Sequence, residues 1–404
     1  MKILFINCVC GIGSTGKICT DLARAYEADG HEVRIAYGRE QYVPKNAQRF
    51  GIQIGCNWEV QLHAIQTRIF DEHGLGSIVG TKKFIKWIKE YNPDIIHLHV
   101  IHGYYINIKI LFEYLKICQK PIVWTMHDCW AFTGHCTYFD FVGCEKWKKQ
   151  CGNCPQKHAY PASQLMDASK KNWMLKRKIF ADVPNMIIVT PSEWLKKLLL
   201  QTFFEQYSIT VINNGIDTDI FRPSYTKIRQ QYKLEKKKIV LGVSSKWPQS
   251  KRLDQMVKLA NVLGEEYKVV VIGINKEQMK LLPPNMLGFQ KTSNVKELVA
   301  WYTAADVFVN PTLEDNYPTV NLEAQACGTP VVTYDVGGSA ECIKNNYGIA
   351  VKKNDFEALR DAVIRYANAK GTIPYPQIMG KNEFSELYMN LYKCLMFKQE
   401  DMEK

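Results

Sequence analysis

Ala305–Glu341, ADVFVNPTLEDNYPTVNLEAQACGTPVVTYDVGGSAE, decides how the rest of the chain is read. Val307-Phe308-Val309, an apolar run stopped by Asn310-Pro311, reads as a buried strand because β-branched and aromatic residues fill it. A polar turn follows. Pro318 stands where a first helical residue belongs, since its missing N–H is one that a helix start leaves unpaired anyway, and Thr319 to Cys327 continues as a helix closed by Gly328. Pro330-Val331-Val332-Thr333 is a second strand running into Gly337-Gly338. Strand, loop, helix, strand and glycine pair predict a βαβ unit whose helix start faces a crevice.

An anion suits that helix start, because the unpaired N–H groups near Asn316, Tyr317, Pro318, Thr319 and Val320 and the helix dipole both favour phosphate. Two carboxylates bracket it. Asp315 lies on the loop and Glu323 a little over two turns later, so one reaches a ligand's hydroxyls at one end and the other grips it at the far end. A phosphate cradle between paired acids points to a sugar nucleotide. The plainer reading, an acid that merely stabilises the dipole beside a solvated glutamate, stays open on these residues alone.

With 404 residues the chain exceeds one ordinary domain and predicts two. Hydrophobic residues at 46% and charged residues at 23% are those of a water-soluble protein. The formal charge of +12 fits nucleic acid, an anionic bilayer or a phosphate-bearing substrate without choosing among them. No run reaches the roughly 18 apolar residues of a membrane span, and Met1 to Asn7 leads into a glycine-rich loop rather than a cleavage site. Cytoplasm is the expected compartment. Cysteine supports this, because 13 scattered thiols, an odd number, suit metal or buried sites better than a disulfide framework.

The opening residues repeat the same logic. Ile3 to Ile6 is a strand, Gly11-Ile12-Gly13-Ser14-Thr15-Gly16-Lys17 a glycine loop, Ile18 to Asp29 a helix and Val33 to Ala36 a strand. The glycines let a backbone approach a ligand, but no acid stands at the ribose position of a dinucleotide fold, which makes an NAD-dependent oxidoreductase the weaker alternative. In the helical stretch between residues 61 and 90, Lys82, Lys83, Lys86 and Lys89 interleave with Phe84, Ile85 and Ile88. Such a helix rests either on an anionic membrane or, as an ordinary surface helix, on its own domain. The strand Pro93 to His99 ends in histidines and is followed by His102, and the strand Pro121 to Met126 ends at His127-Asp128. Residues just beyond strand ends line the crevice of an α/β sheet, so these histidines are candidates for proton handling or sugar binding.

Cys136, Cys144, Cys151 and Cys154 follow in a C-x7-C-x6-C-x2-C array. Four thiolates at such spacing predict a structural tetrahedral zinc with no open coordination position. Next, Ile187 to Thr190 and Ile209 to Ile212 are strands, and Asn213 to Pro223 with the charged run Lys233 to Lys238 reads as an interdomain linker. The pattern then restarts with strands at Lys238 to Val243 and Tyr267 to Gly273 around a helix at Leu253 to Leu263. Between strand and helix lie Lys246 and Lys251, placed to neutralise a diphosphate leaving group. Helices at Val295 to Ala304, Asp355 to Lys370 and Phe384 to Phe397 complete two Rossmann-like halves.

These residues resemble a retaining glycosyltransferase of the GT-B fold, in family 4. The similarity rests on the glycine loop, the strand ending at His127, Asn214-Gly215-Ile216-Asp217 with Phe221 and Pro223, Lys251 and the E-x7-E region. Within that family it is similar to bacterial colanic acid, capsule and exopolysaccharide enzymes, through the HLHxxHGYY run at His97–Tyr105, the WTxHD run at Trp124–Asp128 and the CGNCP segment. The resemblance implies an α/β fold of two Rossmann-like domains facing each other across a crevice. The expected division is an acceptor domain over 1–222 with the cysteine insertion near 136–154, a donor domain over 223–375, and a helix over 376–404 crossing back.

It further implies a UDP- or GDP-sugar donor, a lipid-linked oligosaccharide acceptor, peripheral contact with an anionic membrane at the inner face of the plasma membrane, no nucleic acid and no catalytic cofactor. By resemblance His127, Lys251, Asp315 and Glu323 are the catalytic set. Gly13, Gly16, Lys246 and Asn316 to Val320 bind donor, Glu323 holding the ribose and Asp315 standing where the family has glutamate. A nucleotide-sugar epimerase of the same fold is the second reading.

Overall fold

Apolar runs that bury both faces form parallel strands, and here they line up into two parallel sheets. The structure, a computed structural model, describes residues 1–39 and 42–403, the side chains up to 397. The chain divides into two units, Met1–Asn213 with Asn382–Lys404, and Asn214–Lys381. These divisions fall at 213/214 and 381/382 rather than at the expected 222/223 and 375/376, and Asn214 to Pro223, read as a linker, lies inside the second unit. The reason is local: Ile216 bridges to Gly380 and donates its N–H to Met379 O at 3.1 Å.

In the first unit the strands are β1 (Lys2–Ile6), β2 (Glu32–Tyr37), β3 (Gly51–Gln53), β4 (Ile95–Leu98), β5 (Ile122–Thr125), β6 (Met186–Thr190) and β7 (Ser208–Val211), in the order β3-β2-β1-β4-β5-β6-β7. Its helices are α1 (Gly13–Ala28), α2 (Asn57–Phe70), α3 (Ile78–Tyr91), α4 (Ile108–Leu115), α5 (Ser169–Phe180) and α6 (Glu193–Leu199). Leu4, Ile6, Ile96, Leu98, Ile122, Trp124 and Ile188 anchor its core from the strands. Phe84 and Ile88 of α3 belong to that core and Ile85 packs against it. The apolar face of Phe84, Ile85 and Ile88, expected as one choice for a membrane, is therefore spent inside the unit, and Lys82, Lys83, Lys86 and Lys89 face outward.

The second unit has β8 (Lys238–Val243), β9 (Tyr267–Ile272), β10 (Met286–Phe289), β11 (Val307–Asn310), β12 (Val331–Tyr334) and β13 (Gly348–Val351), in the order β10-β9-β8-β11-β12-β13. Helices α7 (Ile228–Gln231), α8 (Leu253–Val262), α9 (Lys276–Lys280), α10 (Val295–Ala304), α11 (Thr319–Ala326) and α12 (Phe356–Ala369) complete it. Strand order reverses between β1 and β4 and between β8 and β11, the switch points beside which α/β sheets hold ligands.

Helix α13 (Lys381–Glu403), all but its first residue, groups with the first unit. Its aromatic stripe supplies the ties: Tyr392 Oη meets His97 Nδ1 at 2.5 Å, Tyr388 Oη meets Thr125 Oγ1 at 2.9 Å, and Tyr26 Oη donates to Ser385 O at 3.0 Å. Among the described residues no helix is long and apolar enough to cross a membrane. None of the 13 cysteines forms a disulfide.

Candidate functional site

In the second unit the loops after β8 and β11 come together. Lys251 ends a 3₁₀ turn, Gln249–Lys251, and the Leu313 N–H donates to Ser250 O at 2.8 Å, which joins the two loops. Across that join Lys251 Nζ donates to Asp315 Oδ2 at 2.6 Å, with both side chains mostly shielded from water. The third loop, after β12, closes over the same backbone: Gly338 N–H donates to Asp315 O at 3.2 Å. Gly337 takes φ +56°, and a Cβ there would stand 1.8 Å from Asp315 O, so only glycine fits.

Helix α11 begins at Thr319, one residue later than expected, with Pro318 as its cap in extended backbone. No side chain caps this start and its first turn holds no acid, so the positive end of the dipole is left for an anion. Asn316, Tyr317 and Pro318 are buried, whereas Thr319 and Val320 are half-buried. The Tyr317 carbonyl accepts from Asn214 Nδ2 at 3.4 Å, which gives the Asn-Gly-Ile-Asp run a supporting role beneath the loop. Glu323 is half-buried and accepts from Tyr302 Oη at 3.0 Å. Lys246 lies on the loop of Lys251 and is exposed, its carbonyl held by Ser244 Oγ.

In the first unit the loop after β1 separates two glycines that the sequence treats alike. Gly13, at φ +63°, has nothing within 4 Å of where a Cβ would stand, so its backbone borders open space at the start of α1. At Gly16 a Cβ would press on Val9 Cγ2 at 3.0 Å and Gly11 N at 3.3 Å. Gly16 thus serves close packing of loop on helix, while Gly13 is the one free to approach a ligand. Helix α1 likewise has no side-chain cap and no acid in its first turn.

Beyond β4 and β5 the histidines form one cluster. His99 Nδ1 and His127 Nε2 are 3.0 Å apart, and His102 Nε2 meets Asp128 Oδ2 at 2.8 Å. Burial pushes the His127 pKa down to about 4, with Asp128 opposing that fall and His102 adding to it. His127 is therefore a neutral imidazole at neutral pH, suited to hydrogen bonding rather than to carrying charge. Burial would raise Asp128, but His102 and the Trp130 N–H outweigh it and hold the carboxyl below its usual range. Sequence reasoning missed the neighbouring Lys176: it is buried, donates to Trp130 O at 2.7 Å and Thr133 O at 3.0 Å, and burial lowers it to about 7.

Cys136, Cys144, Cys151 and Cys154 line one small cavity together with His135. Hydrogen bonding with Cys136 draws the Cys154 thiol down to about 7 and pushes Cys136 up. Asp71 holds His135 Nδ1 at 2.5 Å. Yet among the described residues no group of three or more His, Cys, Asp or Glu side chains is arranged to hold a metal ion. The thiols share a cavity without forming a coordination sphere.

Two parallel Rossmann-like units with loops shaped for anions at their switch points place the chain in the GT-B class. Residues 15–220 match Glycosyltransferase Family 4 and residues 224–384 match Glycosyl transferases group 1. The chain belongs to Glycosyltransferase Family 4. A glycosyl transferase of Escherichia coli (strain K12) named for colanic acid biosynthesis, WcaC, is 25% identical over 65% of this chain and 65% of its own. An Escherichia coli UDP-Gal:alpha-D-GlcNAc-diphosphoundecaprenol alpha-1,3-galactosyltransferase is 28% identical over 45% of this chain and 50% of its own. These matches span between half and two thirds of the relatives' own length. Sucrose-phosphate synthase from Thermosynechococcus elongatus has the same fold, with a TM-score of 0.65 at 16% identity over 100% of this chain and 98% of its own.

Proposed function

We propose that the protein is a retaining glycosyltransferase that moves a sugar from a UDP- or GDP-sugar to a lipid-linked oligosaccharide in bacterial surface polysaccharide assembly. The observation that carries this is the Lys251–Asp315 pair at 2.6 Å beside the uncapped start of α11, with Glu323 about one turn into the helix. A diphosphate satisfies that lysine and those amides together, and it leaves with its charge already matched. Asp315 then faces the sugar hydroxyls and Glu323, oriented by Tyr302, the ribose. Lys246 and the backbone of Asn316 to Val320 complete the donor contacts.

In the first unit, Gly13 borders the donor phosphates and His127, neutral and braced by His99, hydrogen bonds the transferred sugar. Retention follows when the departing diphosphate itself takes the acceptor's proton on the face it leaves, so no enzyme nucleophile is required. The relatives' names support the acceptor class, one of them specifying a diphosphoundecaprenol-linked substrate. On this reading the enzyme works at the cytoplasmic face of the membrane. A structural zinc on Cys136, Cys144, Cys151 and Cys154 is part of the proposal; their shared cavity supports it, and coordination requires the thiols to turn toward a common point.

The deciding experiment is a thermal-shift screen against UDP, GDP and their sugars, followed by product analysis with and without a lipid-linked acceptor. Stabilisation by one nucleotide family and acceptor-dependent transfer are expected. Sugar-nucleotide turnover that needs no acceptor would replace transfer by epimerisation, and binding of NADH with no response to sugar nucleotides would sink the reading.

A further inference from the structure

Helix α2 is inside out. Glu59, His63 and Thr67, spaced four apart, are 8%, 1% and 0% exposed, whereas Trp58, Leu62 and Ile65 are 60%, 55% and 49% exposed. A surface helix ordinarily turns its apolar stripe inward. Here the inward polar groups are individually satisfied. Glu59 accepts from Gly80 N at 2.9 Å and Cys56 N at 3.2 Å. His63 Nε2 accepts from Gly74 N and Gly76 N, both at 3.1 Å, its Nδ1 meets Ser77 Oγ at 3.1 Å, and Thr67 Oγ1 donates to His63 O at 2.9 Å. The inversion is thus built into the fold, and it leaves large apolar side chains in water.

The neighbouring segments continue the same surface chemistry. The Glu59–Gly80 bond sets the start of α3 against α2, where Ile78 and Val79 are exposed. At the other end, Gln164 N–H donates to Arg68 O at 2.7 Å and Met166 N–H to Ile69 O at 3.1 Å, and Leu165 and Met166 are exposed. Arg68, Lys82 and Lys83 are exposed on these helices. The acids nearby are already engaged: Glu59 is buried, Asp71 holds His135, and Glu72 is bonded to Gln66 and Lys171. An apolar face with a tryptophan and an uncompensated basic collar matches lipid tails beneath anionic headgroups.

We propose that this face of α2, with the start of α3, docks the protein on an anionic phospholipid bilayer. A second copy fits less well, because a two-fold contact would set the same cations against one another. The inference rests on the proposed lipid-linked acceptor for its purpose, but vesicle binding is read without donor or acceptor, so its failure and a failure of transfer are separate results.

The test is sedimentation of the full chain with phosphatidylcholine vesicles, pure or doped with phosphatidylglycerol. Binding to the anionic vesicles alone is expected, weakened roughly fivefold for each lysine removed in Lys82→Gln and Lys83→Gln, and by about tenfold or more in the double variant Leu62→Ser/Ile65→Ser. All these positions are at the surface, so wild-type thermal unfolding of the variants is the control. Equal binding to neutral vesicles, or unchanged binding of Leu62→Ser/Ile65→Ser, overturns the proposal. So does a dimer by light scattering that those two substitutions dissociate, which would assign the face to a second copy.

Discussion

The Lys251–Asp315 contact admits two roles for the lysine, and a double substitution separates them. Lys251 either grips the donor's diphosphate or only neutralises Asp315 so that an anion can approach. With Nζ and Oδ2 at 2.6 Å and both side chains partly shielded, the pair itself is worth only about 1 kcal/mol to stability. A lysine hydrogen bonded to phosphate is worth more, about 1.5 to 3 kcal/mol, which converts to roughly 10- to 150-fold in affinity. Lys251→Ala is therefore expected to weaken UDP or GDP binding by that factor in isothermal titration, with a small change in unfolding temperature.

Asp315→Asn alone removes a negative charge beside the phosphate and should leave nucleotide affinity unchanged or slightly tighter, while slowing sugar transfer. The informative variant is Lys251→Ala/Asp315→Asn. If the lysine binds phosphate, the double variant stays about as weak as Lys251→Ala, because removing the acid does not supply the missing donor. If the lysine only neutralises the acid, the double variant recovers the affinity of Asp315→Asn. That recovery, to within about twofold, would refute the phosphate role.

Three further outcomes follow. His63 and His127 are pushed down to about 4 by burial, and His73, His97 and His99 fall well below the ordinary histidine range for the same reason. These rings stay neutral in the fold while the unfolded chain protonates them, so their contribution is full above pH ~6.5 and is lost as pH falls toward about 4. Urea unfolding at pH ~5 against pH ~7 should show losses of ~2 kcal/mol for each histidine with a folded value near 4, and a flat profile would contradict their buried neutral state. Gly13→Ala should cost about 1–2 kcal/mol for its left-handed backbone and abolish donor-dependent turnover, whereas Gly16→Ala should act first on stability through Val9; the reverse order in melting and activity assays would exchange their roles. Protein purified without chelator should carry about one zinc per chain, reduced in Cys151→Ser and Cys154→Ser, and metal-free protein by elemental analysis would remove the zinc.

The second unit was the more legible half of the sequence. Val307 to Asn310, Val331 to Tyr334 and Lys238 to Val243 are short β-branched runs that admit one reading, and the glycines and proline between them mark where a chain must turn. Position along the chain then put Lys251 and Asp315 beyond neighbouring strand ends and Glu323 in the helix that follows. Their bonding was not legible. That Lys251 reaches Asp315, that Tyr302 orients Glu323, and that Gly337 is required by the Asp315 carbonyl all depend on contacts across 21 to 64 positions of sequence, which no local pattern encodes. The same limit hid the difference between Gly13 and Gly16, because a glycine loop shows where backbone approaches something but not whether that is a ligand or Val9.

Helices α2 and α3 show how far periodicity reaches. Both carry apolar residues at helical spacing, and from spacing alone α3, with its lysines, is the better membrane candidate. The period specifies that a helix has two unlike faces; it does not say which face the domain takes. For α3 the domain takes the apolar face, Phe84 and Ile88, and leaves lysines outside. For α2 it takes the polar face, because Gly55 and Gly80 let the backbones approach closely and backbone N–H groups at Gly74, Gly76 and Gly80 need acceptors that Glu59 and His63 supply. Those donors belong to the loop before α3 and to its first turn, so the orientation of α2 is decided by the hydrogen-bonding demand of its neighbour rather than by its own hydrophobicity. Replacing His63 by leucine would raise the apolar content of the buried face and still destabilise the unit, since the Gly74 and Gly76 N–H groups would be left buried without an acceptor at a cost of about 1–3 kcal/mol each.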